Sequence, residues 1–269
     1  MRLINKIFIP VCLICALLFS VQQSLLAQND AVIAKRSKVK VLAEYPHNTS
    51  SYTQGLFFHN GVMYESCGQY GHSFFKIVDY KTGKILRQWK FQRRYFLEGA
   101  CPFGDNVYIL TWKEKTCFVY SLPPVKKTSD NDFKMIGKAT YNTEGWGLTT
   151  DGKELIMSDG SYNLYFLDPK SFYPRRTLRV TINGKPLYYI NELEYIDGKI
   201  WANVYTANYI VIIDPQSGVV ERIIDCEGIL PANLQSSKTD VLNGIAYNPE
   251  DGSIYITGKY WPRLYKISY

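Results

Sequence analysis

Hydrophobic residues along this chain fall in short runs closed by turn pairs, with no helical periodicity. One pattern recurs five times: a polar residue, usually followed by glycine and then apolar residues, leads into a turn and a strand bearing Tyr or Trp. The copies begin at Gln54 (QGLFFHNGVMYES), Glu98 (EGACPFGDNVYILTW), Glu144 (EGWGLTTDGKELIMSD), Asn191 (NELEYIDGKIWANVY) and Asn243 (NGIAYNPEDGSIYITG). Successive starts lie 44, 46, 47 and 52 residues apart. That period, with several short strands per copy, predicts an all-β fold, a five-bladed β-propeller. A propeller turns the first strand of every blade toward one central channel, so five residues distant in sequence are expected to converge.

Within each copy a first hairpin is expected at Asn60-Gly61, Asp105-Asn106, Asp151-Gly152, Asp197-Gly198 and Asp251-Gly252, mostly pairs that accept positive φ at low steric cost. A third strand ends in a second turn, as in VDYKTGK (78–84), LDPKSF (167–172) and IDPQSG (213–218), and an outer strand follows. The fifth copy stops after Arg263–Ser268 and lacks its outer strand, whereas VKVLAEY (39–45) is a strand without a blade. The economical solution is that the N-terminal strand completes the last blade and closes the ring, covering an edge otherwise open to aggregation. The stretch 122–133 reads as a surface insertion in blade two, and 227–240 as a wall at one mouth of the channel.

Composition refines this picture. The 22 Tyr and 13 Phe suit half-buried pleated surfaces. Arg2 and Lys6 precede an apolar run from Ile7 to Phe19 that is short for a membrane span, so residues 1–27 read as a secretory signal with cleavage after Ala27. An uncleaved anchor is the alternative. Residues 28–38 read as a solvated leader and 39–269 as the propeller. Export to the periplasm or the extracellular space is expected. The net charge of +7 falls to +5 without 1–27, too mild and too scattered for a nucleic-acid footprint. No membrane contact beyond the signal is expected, and the protein is read as a monomer. Cys67, Cys101, Cys117 and Cys226 allow three pairings, and their spacing is equally compatible with buried free thiols.

The ring at the blade openings is Gln54, Glu98, Glu144, Asn191 and Asn243, with Trp112, Trp146, Tyr205, Lys259 and Trp261 near it by strand position. Such a ring reads equally as polar groups bonded to one another and to trapped water, lining a narrow channel. Carboxylates among amides and aromatics are also where raised pKa values and proton transfer are found. The three histidines show no zinc spacing, and there is no GxSxG elbow, no Cys–His pairing and no phosphate-cradling Gly loop. No metal or cofactor is expected. The remaining inventory suits proton shuttling and oxyanion stabilisation on a small polar substrate.

YTQGL (52–56), FLEGA (96–100), LTWK (110–113), EGWGLT (144–149), NELEY (191–195), the LDP and IDP turns, LNGIAY and TGKYWP resemble the plant- and bacterial-type glutaminyl-peptide cyclotransferases. The resemblance covers about residue 40 to the C-terminus, with motifs in every blade in order. It implies a five-bladed propeller that converts N-terminal glutamine of peptides or proteins to pyroglutamate with release of ammonia, without metal. By motif position Glu98 is implied as the catalytic acid/base, with Gln54, Trp112, Trp146, Asn191 and Lys259 in the substrate pocket. The chain departs from the family at Tyr205, where Trp is common, and at Ala100 and Cys101.

In that chemistry the α-amine attacks its own γ-carboxamide, so the enzyme must mainly enforce the folded conformer. A buried carboxylate moves the proton, Lys259 and Asn191 serve as oxyanion donors, and indole faces exclude water. A metal-dependent propeller hydrolase of lactonase type and a non-catalytic binding propeller remain as alternatives.

Overall fold

The computed structural model of the protein describes residues 32–127, 129 and 131–269; the signal segment expected at 1–27 lies outside them. Two strands, β1 (Lys35–Lys38) and β2 (Lys40–Pro46), precede the first repeat. Blade one comprises β3 (Thr53–His59), β4 (Val62–Cys67), β5 (Phe74–Asp79) and β6 (Lys84–Lys90). Blade two follows with β7 (Leu97–Phe103), β8 (Asn106–Thr111), β9 (Thr116–Ser121) and β10 (Met135–Thr140). Blade three has β11 (Leu148–Thr150), β12 (Leu155–Ser158), β13 (Asn163–Leu167) and β14 (Pro174–Arg179), and a small hairpin, β15 (Thr181–Ile182) and β16 (Lys185–Pro186), links it to the next blade. Blade four contains β17 (Ile190–Ile196), β18 (Lys199–Val204), β19 (Tyr209–Ile213) and β20 (Val220–Asp225). Blade five has β21 (Leu242–Asn248), β22 (Ser253–Gly258) and β23 (Arg263–Ser268).

Burial follows strand position. The innermost β3 is buried along almost its whole length, whereas the outermost β6 alternates between exposed and half-buried positions. An inner strand has a neighbouring blade on each face and reads as a continuous apolar run, while an outer strand reaches solvent on one face. Five hydrophobic clusters result, one between each pair of adjacent blades. Phe57, Tyr64, Phe75 and Ile77 of blade one, for instance, meet Leu97, Val107 and Ile109 of blade two.

The expected closure is present. β2 pairs antiparallel with β23 from Lys40↔Ser268 to Pro46↔Arg263 and supplies the missing outer strand of blade five. The leader reading of 28–38 needs correction at its end, because β1 adds a parallel fifth strand to blade four, from Lys35↔Arg222 to Lys38↔Asp225. Its side chains are mostly exposed, so composition alone reads it as solvated. What orders it is the unpaired outer edge of β20 and the hydrogen bonds that Arg222 Nη1 donates to Ser37 Oγ and Val39 N donates to Asp225 O.

Four first-hairpin turns lie where expected, with positive φ at Asn60, Gly61, Gly152, Asp197, Gly198 and Gly252. In blade two the turn is one residue earlier: β7 ends at Phe103 and β8 starts at Asn106, and Gly104 takes the positive φ. In the second turns Asp79, Asp168 and Asp214 accept hydrogen bonds from backbone N–H groups two residues on. The 122–133 insertion does join β9 to β10, and Phe133 from it stacks on Tyr120 at 4.1 Å. All four cysteines are free and buried, with no pairing among them.

A buried polar cluster joins the ends of the ring. Glu65 of β4 lies 2.7 Å from Lys76 Nζ and 3.2 Å from His47 Nε2, and it accepts from Thr53 Oγ1. His47 follows the closing strand, and its Nδ1 lies 2.8 Å from the Trp261 carbonyl of blade five. Lys76 and His47 hold the Glu65 carboxyl far below the ordinary carboxylate range against the desolvation of the site.

Candidate active site

The polar–Gly repeat has a steric cause at the inner strands. Gly55 abuts the backbone of Gly99 and Ala100, Gly99 abuts that of Trp146 and Leu148, and Gly147 abuts that of Asn191 and Glu192. A Cβ at any of the three would come within 3.0 Å of the next blade's backbone, which real Cβ atoms essentially never show. The glycines thus let consecutive inner strands close around the channel.

This stacking corrects the third member of the ring. Gly147, not Gly145, is the counterpart of Gly55 and Gly99, so the residue preceding it, Trp146, holds the place of Gln54, Glu98 and Asn191. Three hydrogen bonds agree: Gly99 N donates to Trp146 O at 2.7 Å, and Ser158 Oγ donates to Asn191 O just as Ser66 Oγ donates to Glu98 O. Two glycines in EGWG gave two possible registers in the sequence, and strand packing selects the second.

Blade four alone has no glycine after its ring residue. Glu192 takes that place and reaches across the channel, where its carboxylate accepts from Leu56 N of blade one (3.2 Å) and Ile245 N of blade five (2.9 Å). Glu194 does the same for Tyr247 N at 2.9 Å. Inner strands carry free edges, and these two carboxyls satisfy their backbone donors. Burial pushes the Glu192 carboxyl well up and the Glu194 carboxyl up to about 8. They are structural groups, and the NELEY motif owes two of its residues to them.

At one end of the channel lies a cavity of about 180 Å³ lined by Tyr52, Gln54, Phe96, Glu98, Trp112, Trp146, Asn191, Tyr205 and Lys259. Seven of the ten expected site residues are here. Tyr52 and Phe96 are additions; each stands two residues before a ring residue, the spacing that puts side chains on one face of a strand. That signal was present in YTQ and FLE.

The polar members divide into committed and uncommitted groups. Asn243 Nδ2 donates to Thr53 O and to Gln54 Oε1 (3.1 Å), and Gln54 Nε2 in turn donates to Glu98 Oε1 at 3.0 Å. Asn243 therefore sits behind the cavity and orients Gln54, which orients the carboxyl. Glu144 is likewise off the lining: its Oε2 accepts from Trp112 Nε1 at 2.6 Å and Trp146 Nε1 at 2.9 Å. Both indole N–H groups are thereby occupied, leaving the rings as apolar wall. Trp146 also meets Tyr205 edge-on at 5.7 Å. Trp261, expected near the site, is instead a buried core residue of blade five whose Nε1 donates to Asp240 O. Its ring lies against Gly258, so the packing surface, not the cavity, claims it.

The Asn191 amide and the Lys259 ammonium are the uncommitted groups. Asn191 is 3% exposed and its Oδ1 is buried with no partner. Lys259, also 3% exposed, forms no salt bridge among the described residues and stands 4.6 Å from the Tyr52 ring centroid and 5.2 Å from that of Tyr205. Burial lowers the Lys259 pKa, with Glu98 and Asp240 opposing. Burial raises that of Glu98 well above the usual carboxylate range, opposed by Lys259 and reinforced by Glu144 and Glu114. Desolvation wins at both, so each is driven toward its neutral form. A buried polar group without a partner is costly unless something completes it. This pocket thus presents a proton-affine carboxyl, an open amide and an open amine, enclosed by four aromatic walls and Tyr205. Among the described residues no group of three or more His, Cys, Asp or Glu is placed to hold a metal ion.

The sequence model of the family described as Glutamine cyclotransferase matches residues 13–269. A glutaminyl-peptide cyclotransferase of Arabidopsis thaliana is 37% identical over 234 residues, spanning 86% of this chain and 71% of that protein. Among solved structures, Myxococcus xanthus glutaminyl cyclase superimposes with a TM-score of 0.78 at 32% identity, covering 87% of this chain and 97% of the other.

Proposed function

The chain belongs to the glutamine cyclotransferase family, and on that premise we propose that it closes the N-terminal glutamine of peptides to pyroglutamate with Glu98 as the proton carrier. The α-amino nitrogen attacks the γ-carbonyl carbon, a C–N bond forms, the bond to the amide NH2 breaks, and ammonia leaves. One proton must leave the attacking nitrogen and another must reach the departing one. A single carboxyl between the two does both, and the upward shift that burial gives it makes it a stronger proton acceptor than an ordinary carboxylate.

Lys259 and Asn191 address the oxygen and amine of the reacting glutamine. The lysine N–H groups, and the Asn191 amide N–H in the orientation that turns it to the cavity, are donors for the oxygen that gains charge in the tetrahedral intermediate. The orphaned amide oxygen is an acceptor for the substrate's amine. The aromatic walls hold the side chain folded against its own N-terminus and exclude the water that would deamidate it. Glu144 acts at one remove, by fixing Trp112 and Trp146.

The observation that carries this reading is the Glu98 carboxyl: buried, held by Gln54, and facing a one-residue cavity that holds two uncommitted polar groups. Ammonia release from a Gln-initiated peptide, with and without chelator, tests it. Activity unaffected by chelator agrees with a reaction run by these side chains. Absence of ammonia release refutes the function, and loss of activity to chelator with recovery on adding metal favours the lactonase-type alternative. The apolar run from Ile7 to Phe19 supports export, which sequencing the N-terminus of the protein recovered outside the cytoplasm tests.

A further inference from the structure

A second and larger cavity, about 870 Å³, opens beside the first. The two share a wall. Tyr52 and Phe96 face the small pocket, while Tyr260, whose ring centroid lies 5.1 Å from that of Tyr52, and Gly68, on which the Phe96 ring rests, face the groove. A pocket of about 180 Å³ is below the 300–1,000 Å³ of sites that hold drug-sized ligands, so it accommodates one residue and not a peptide. The chain following the glutamine must lie elsewhere, and the groove is continuous with the wall it has to cross.

The charge of the groove is one-sided. Lys90, Arg93 and Lys238 line it together with His72, and no Asp or Glu does. The three cations are exposed and form no salt bridge among the described residues. They come from three separate segments: the end of β6, the loop before β7, and the 227–240 stretch that precedes blade five. Three unpaired cations converging on one concavity, without the interspersed acids of an ordinary surface, set up a field that selects negative charge.

We propose that this groove binds the segment of peptide that follows the reacting glutamine and favours acidic side chains there. The proposal rests on the cyclotransferase reading, since it takes the small pocket to hold the glutamine. Each pairing is solvent-exposed, so each is worth only about a twofold to fivefold change in KM, and the preference weakens as salt rises. The groove does not touch the reacting atoms, so kcat is expected to stay constant.

The test is steady-state ammonia release from three Gln-initiated pentapeptides of equal length carrying two Glu, two Gln or two Lys after the first residue, together with the short substrate Gln-amide. The expected order of kcat/KM is Glu above Gln above Lys, compressed in about 0.5 M salt. In Arg93→Glu the preference narrows, and in the Lys90→Glu/Lys238→Glu double variant, where the three positions carry net negative charge, the order inverts, while turnover of Gln-amide stays at the parent level. Equal kcat/KM for the three peptides, or an order unchanged in the Lys90→Glu/Lys238→Glu variant, overturns the groove assignment while leaving the activity intact. Failure of all substrates, including Gln-amide, refutes the underlying activity instead.

Discussion

Replacing Glu98 by Gln isolates the proton from everything else the residue does. The carboxyl accepts one hydrogen bond, from Gln54 Nε2 at 3.0 Å, and a glutamine at 98 can accept the same bond through its own oxygen. Shape, polarity and that contact therefore survive, and the loss is the capacity to take a proton from the attacking amine. General acid–base catalysis is worth roughly 10²- to 10⁴-fold, which at about 1.36 kcal/mol per decade is about 3–5 kcal/mol of barrier. A fall of that size is expected in kcat, with KM changing by less than about tenfold in either direction. The pH profile carries a second signature. Because burial raises the Glu98 pKa, the parent's kcat/KM should fall as pH drops through that raised value, and the variant should lack this limb. Glu144→Gln is the control: an amide oxygen there can still accept from both indoles, so its kcat should fall much less. The assay is coupled ammonia release, with thermal melting to confirm that each variant is folded. A folded Glu98→Gln enzyme turning over near the parent rate, beside a dead Glu144→Gln, would show that the wrong carboxyl has been assigned.

The channel carboxyls make stability depend on pH in an unusual direction. Glu194 is raised from 4.5 to about 8, so the folded state binds more protons than the unfolded one in this window. Its stabilising contribution is whole below about 4.5 and is lost as pH rises to about 8, by at most about 5 kcal/mol. Glu194→Gln should therefore gain on the parent in urea midpoint steadily across that range, and a constant difference would contradict the assignment. Lys76→Met leaves Glu65 buried with His47, Thr53 and the weak Cys67 thiol donor but without its lysine, and should destabilise by about 3–5 kcal/mol. The double variant Glu65→Gln/Lys76→Met should recover much of that loss, and equal urea curves for parent and Lys76→Met would remove the cluster from the stability argument. Deleting residues 32–38 strips one outer strand from blade four, whereas deleting 32–46 also opens blade five. The longer truncation should melt far lower than the shorter, and equal melting would contradict ring closure by β2.

Much of this molecule is local and was therefore legible. Turn chemistry at Asn60-Gly61 or Asp251-Gly252, apolar inner strands and a 44- to 52-residue spacing of the repeat depend on near neighbours in the chain, and together they specify blades. The missing strand in the fifth copy and the spare strand at 39–45 pointed to closure because an unpaired edge is unfavourable in any fold. Glu98, Gln54, Asn191, Lys259 and the two indoles were found because the motif around each is short and complete. Other features were decided only when the blades met. EGWG holds two polar or aromatic candidates and two glycines, and only the backbone of Asn191 against Gly147 assigns the ring position to Trp146 and turns Glu144 into a clamp. The removal of Asn243 and Trp261 from the cavity, the crossing of the channel by Glu192 and the ordering of β1 likewise depend on partners from other blades. The same holds for Lys259: burial in the assembled pocket lowers its pKa, against the opposing pull of Glu98 from another blade. Periodicity determines which strands form; the distances between inner strands, fixed by where a Cβ can and cannot fit, determine which side chains face the cavity.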